Sequence, residues 1–143
     1  MENNDKKILE VKNLKIHFSV GNAFFQKKRD VLKAVDDVSF NLFQGETLGL
    51  VGESGSGKTT IGRSIVRLIT PTEGEIKYDG ENILNLKGKS LKELRKKIQI
   101  IFQDPYSSLN PRMTIGKIIE EALIVHKQGK KEERRKKVLD ILS

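Results

Sequence analysis

Thr47-Leu48-Gly49-Leu50-Val51, followed by Gly52-Glu53-Ser54-Gly55-Ser56-Gly57-Lys58-Thr59-Thr60, is the stretch on which the fold turns. The Thr47–Val51 run is apolar without alternation, which predicts a strand covered on both faces. The residues after it match the spacing G-x-x-x-x-G-K-[ST] at every required position. Gly52, Gly55 and Gly57 have no Cβ and permit positive φ, so successive N–H groups can turn inward around an anion. Past Lys58 the apolar period changes: Ile61, Ile65, Leu68 and Ile69 fall at i, i+4, i+7 and i+8, an amphipathic helix. Its free N–H groups and positive dipole end point at the same loop. Pro71 stops it at Thr70. A strand, a glycine loop and a helix in that order form a cradle for a nucleotide triphosphate. The candidate set is Gly52, Ser54, Gly55, Ser56, Gly57, Lys58, Thr59 and Thr60. Lys58 is placed to meet the β- and γ-phosphates, Thr59 to ligate Mg²⁺ and Thr60 to donate to the α-phosphate.

Upstream, Leu14, Ile16 and Phe18 alternate within residues 8–18, a half-buried strand, with Asn13 read as a break. Residues 21–30 read as an exposed loop. Alternation resumes at Val38, Phe40 and Leu42 and ends at Gln44-Gly45. Downstream, residues 74–78 read as a strand, Asp79-Gly80 as a hairpin turn and Ser90-Leu91-Lys92-Glu93 as a capping box. Ile98–Phe102 reads as a second buried strand and residues 103–111 as a loop. Thr114 caps a helix bearing Ile115, Ile118, Ile119, Ala122 and Leu123, which Gly129 breaks before a basic helix running to Leu142. Strands alternating with helices predict an α/β fold with a partly parallel sheet, and the early strands an added antiparallel layer.

The 143 residues carry 27 Lys and Arg against 19 Asp and Glu, a formal charge of +8, and no cysteine. Disulfide frameworks, thiolate zinc sites and cysteine nucleophiles are excluded. No apolar run approaches the roughly 18 residues of a membrane span, and the N-terminal residues hold no apolar stretch of signal-peptide length. Positive charge clusters at Lys27–Arg29, Lys87–Lys97 and Lys127–Lys137. Glu93, Glu132 and Glu133 interrupt two of these runs, which read as solvated faces, and no nucleic-acid-binding spacing stands beside them. His17 and His126 have no metal-ligand partner at suitable spacing.

Four separated blocks then point to a family. KAVDDVSF (33–40), GETLGLVGESGSGKTT (45–60), PTEGEIKYDG (71–80) and IIFQDPYSSLNPRMTIG (100–116) occur in the order and spacing of the ATP-binding cassette of ABC transporters. The chain resembles the N-terminal portion of the ATPase subunits of oligopeptide and dipeptide importers, the F-type subunit above all. The resemblance implies a P-loop NTPase core with a mixed sheet and an added antiparallel β layer, truncated at the start of the helical subdomain. It implies a core over residues 1–103, and the Q-loop with an incomplete helical subdomain over 104–143.

It further implies ATP and Mg²⁺ as cofactors. Gln103 stands where the family has its Q-loop glutamine, positioning Mg²⁺ or the attacking water, so with Thr59 it forms the implied metal set and with Lys58 the implied catalytic pair. Phe18 stands where an aromatic stacks on adenine; many cassettes have tyrosine there, and phenylalanine keeps the ring face without the hydroxyl. Implied partners are membrane-spanning permease subunits and a second ATPase subunit, at the cytoplasmic face of the cell membrane, with no nucleic acid. An LSGGQ-like signature, a Walker B aspartate with its adjacent glutamate and a switch histidine are not found in the sequence. The expectation is therefore an ATPase in the intact protein, with this stretch alone binding nucleotide weakly and hydrolysing it negligibly. Two other readings stay open: a P-loop module that binds nucleotide without hydrolysis, and a basic binder of nucleic acid or lipid surfaces through residues 127–137.

Overall fold

Alternating apolar residues draw two long strands into an antiparallel ribbon, β1 (Lys7–Val20) and β2 (Asp30–Phe43). The structure, a computed structural model, describes residues 6–20 and 30–143. Residues 21–29, with most of the expected loop and the Lys27–Arg29 cluster, lie outside the described residues. β1 is also paired along its other edge with β3 (Glu73–Tyr78), and β3 with the short β4 (Glu81–Asn82), giving the sheet order β2-β1-β3-β4. One face of this sheet supplies the core. Val11, Leu14, Ile16 and Ile76 are fully buried, joined by Val35 and by Ile83 from the 3-10 turn Ile83–Asn85. Ile61 of α1 (Lys58–Ile65) and Leu94 of α2 (Gly88–Lys97) complete the cluster. Each such side chain contributes about 1.5–3 kcal/mol by leaving water.

Two tight features fix β3 in the sheet. Asp79 and Gly80 both take positive φ, as expected of a two-residue hairpin turn, and join Tyr78 to Glu81. Gly74, the second residue of β3, takes φ +98, and a Cβ there would lie 2.5 Å from the Asn13 carbonyl oxygen and 2.7 Å from that of Lys12. Only glycine admits so close an approach of β3 to β1.

The chain divides into two compact units, Met1–Ile100 and Ile101–Ser143. In the second, a 3-10 turn (Tyr106–Ser108) precedes α3 (Ile115–Val125) and α4 (Lys131–Leu142). Gly129, at φ +69, separates the two helices. The Arg134 Nε lies 3.5 Å from Glu120 Oε1, and an Arg134 terminal nitrogen donates to the Gly129 carbonyl at 2.8 Å, tying α4 to α3 and to the turn between them. Among the described residues no helix is long and apolar enough to cross a membrane.

Several local expectations are corrected. Asn13 does not break β1; it adopts φ +47 within the strand, and its side chain donates to Asp37, itself at φ +59. The helix expected to be capped at Ser90 begins earlier, at Gly88, so Ser90 lies inside the first turn and Glu93 accepts from Lys96 instead. Thr114 does occupy the N-cap position of α3, without a side-chain capping bond. Helix α1 ends at Ile65 and continues as turns. The largest difference concerns Thr47–Val51 and Ile98–Phe102. Neither is a strand, and Val51 is 99% exposed and Ile101 91% exposed. An apolar run becomes a strand only when a neighbouring backbone takes up its N–H and C=O groups. Among the described residues no strand pairs with either segment, and the four-stranded sheet is antiparallel throughout.

Candidate phosphate-binding site

The glycine loop folds as the spacing requires. The Ser56 N–H donates to the Glu53 carbonyl at 3.2 Å, closing a turn in which Gly55 takes φ +81. Gly57 follows at φ +91 as the N-cap of α1, and the helix opens with the Ile61 N–H donating to the Gly57 carbonyl at 2.9 Å. No side chain caps this end, and its first turn holds no acidic residue. The first N–H groups of α1 therefore keep their donor capacity for an anion, reinforced by the helix dipole.

At Gly57 nothing else fits, and at Gly52 a side chain would have to displace that of Ser56. A Cβ on Gly57 would lie 2.4 Å from the Ala34 carbonyl oxygen and 3.3 Å from a Val35 methyl, so the loop closes directly onto β2. A Cβ on Gly52 would lie 2.7 Å from Ser56 Oγ, in the space over which the loop curls. Gly55 has open space around it and is needed only for its φ.

Lys58 turns back into this cradle. Its ammonium donates to the carbonyls of Gly52 at 2.6 Å and Glu53 at 2.7 Å, and to Ser56 Oγ at 3.1 Å. An ammonium has three protons and no acceptor, so three oxygen partners saturate it. An incoming phosphate oxygen must replace one of them, and the reward is a charge-assisted bond. Thr59 is exposed and Thr60 half-buried on the first turn of α1.

The remaining predicted residues stand apart from the loop in the chain. Phe18 pairs with Leu32 across the β1–β2 ribbon and is 38% exposed, outside the buried core cluster. Gln103 is exposed and belongs to the second unit. Sequence reasoning had not assigned Ala34 or the carbonyls of Gly52 and Glu53, which respectively back the loop and hold its lysine. The signal for Ala34 is the lapse in alternation between Val31 and Val38.

The family model for the ABC transporter matches residues 35–143. The chain belongs to the ABC transporter family. It is 54% identical over 143 residues to the oligopeptide transport ATP-binding protein OppF of Streptococcus mutans, covering 99% of this chain and 44% of that protein. To OppF of Bacillus subtilis it is 52% identical over 139 residues, covering 96% and 43%. Among solved structures it is similar to the dimeric ATP-binding cassette MJ0796 in a post-hydrolysis state bound to ADP and Pi. That match has a TM-score of 0.73 and 32% identity, covering 92% of this chain and 54% of that one. The chain thus spans under half the length of these OppF relatives. The glycine loop lies inside the family match, so the ABC ATPase fold assigned from sequence stands even though the described sheet is antiparallel.

Proposed function

We propose that this chain is the nucleotide-binding portion of an ATPase subunit that drives oligopeptide or dipeptide import. It works at the cytoplasmic face of the membrane with permease subunits and a second ATPase subunit. The observation that carries the reading is the convergence of the Lys58 ammonium and the uncapped start of α1 on one glycine loop. The names of its relatives support the transport role, and the dimeric cassette supports the paired arrangement.

The residues present fit ATP with Mg²⁺. The backbone N–H groups of Gly55, Gly57, Lys58 and Thr59 would donate to the phosphates, Lys58 would neutralise charge on the β- and γ-oxygens, and Thr60 would donate to the α-phosphate. Phe18 supplies a ring face for adenine. Mg²⁺, when bound, spreads the charge of the β- and γ-phosphates; as a hard cation it takes oxygen donors, and the Thr59 hydroxyl is one that would hold it. Phosphoryl transfer to water depends on such positioning and on charge stabilisation.

Calorimetric titration of the intact protein with ATP, ADP and adenosine tests this. If phosphate contacts carry affinity, ATP binds at least about tenfold tighter than adenosine. Equal affinities would contradict the phosphate site. Tight ATP binding without Mg²⁺-dependent hydrolysis would overturn the motor and favour a non-hydrolysing module.

A further inference from the structure

The phosphate loop rests on an irregular part of the sheet. Along β1 and β2 the partners run Leu14 with Val38, Ile16 with Val35 and His17 with Lys33, so β2 contributes extra residues on both sides of Val35. Ala34 sits in the second bulge, between the Val35 and Lys33 pairs, and its carbonyl is the group on which Gly57 closes. A bulge lacks the regular ladder that would hold its carbonyl in place, so something else must.

The side chain of Asp36 does so. One carboxylate oxygen lies 3.3 Å from His17 Nε2 on β1, and the other accepts from Lys33 Nζ at 3.0 Å on β2. It thereby joins the strands across the bulge. β1 is held here from its other edge: the His17 N–H donates to Thr72 Oγ1 at 2.9 Å, and the Thr72 N–H to the Lys15 carbonyl at 2.8 Å. The hydrogen bond from Lys33, then that from His17, keeps the Asp36 carboxyl below its ordinary range. Among the described residues the charged groups acting on Asp36 and its partners include Lys33 on β2, Glu73 at the start of β3 and Lys15 on β1. Lys15 is itself bonded to Glu73 at 2.7 Å.

We propose that Asp36 is a positioning residue for the phosphate loop, gripping His17 and Lys33 so that the Ala34 bulge stays against Gly57 and the loop keeps the shape that binds nucleotide. The inference rests on the loop being a nucleotide site. Because the network is partly exposed to solvent, the effect is a modest one.

The test is the ATP dissociation constant of Asp36→Asn and Asp36→Glu against wild type, measured on the intact protein together with the amide ¹H–¹⁵N shift of Gly57. Asp36→Asn is expected to weaken binding about threefold and to move the Gly57 amide, His17→Gln to do likewise, and Asp36→Glu to recover most of the affinity. Lys6→Gln breaks the 2.6 Å Lys6–Asp79 pair near the start of β1 and serves as control, with no change in either readout. Asp36→Asn or His17→Gln binding ATP as wild type does, with the Gly57 amide unmoved, would overturn the inference while leaving the nucleotide site intact. Wild-type protein that fails to prefer ATP over adenosine would instead overturn the site itself.

Discussion

Replacing Lys58 with alanine is expected to weaken ATP binding by roughly ten- to a hundredfold, the range for losing hydrogen bonds to a charged group. The ammonium is the only side-chain cation held inside the cradle among the described residues, and it stands on the carbonyls of Gly52 and Glu53. Lys58→Arg should also bind poorly. A planar guanidinium cannot place its donors on two carbonyls and the Ser56 hydroxyl as a compact ammonium does. Lys136→Ala, on an exposed position of α4, removes the same formal charge and should leave affinity unchanged. Equal losses from Lys58→Ala and Lys136→Ala, measured by calorimetry, would mean diffuse attraction by a basic surface in place of a built site.

Gly57→Ala should be the most damaging small substitution in the loop, and comparison with Gly55→Ala separates its causes. Both glycines hold positive φ, which costs an alanine about 1–2 kcal/mol. At Gly55 that is the whole cost, since a Cβ there meets nothing within 4 Å. At Gly57 the Cβ would lie 2.4 Å from the Ala34 carbonyl oxygen, and backbone cannot rotate out of the way. Overlap of this kind adds about 1–3 kcal/mol, a large share of a typical domain's stability of about 5–15 kcal/mol. Thermal unfolding should therefore show a clearly larger fall in midpoint for Gly57→Ala than for Gly55→Ala, with ATP affinity following the same order. Indistinguishable midpoints would contradict the contact between the loop and β2.

The conformation of the glycine loop was legible because its residues act through backbone geometry and charge within a few positions of one another. Gly55, Gly57 and Lys58 occupy the places that the spacing assigned. The Asp79-Gly80 turn and the apolar faces of β1 and β2 were readable for the same local reason. What escaped depends on distant chain. Thr47–Val51 has the composition of a buried strand, but no residue in the run announces whether a partner backbone lies beside it. Asn13 looked like a terminator because αL-tolerant residues favour turns; paired with Asp37, it instead lets the ribbon bulge and continue. Ser90 and Glu93 had the right spacing for a capping box, yet the N-cap of α2 falls at Lys87, ahead of both. The grip of Asp36 on His17 and the approach of Ala34 to Gly57 join residues far apart in sequence and show only once the sheet is assembled.

The most direct measurement is an amide ¹H–¹⁵N spectrum of the intact protein, assigned for residues 52–60 and 127–137, recorded as Mg-ATP is added. Donation of the loop's N–H groups to phosphate oxygens predicts large shifts for the amides of Gly55, Gly57, Lys58 and Thr59, saturating together, while those of 127–137 stay in place. Shifts confined to 127–137, with the amides of 52–60 unmoved at saturation, would contradict the account.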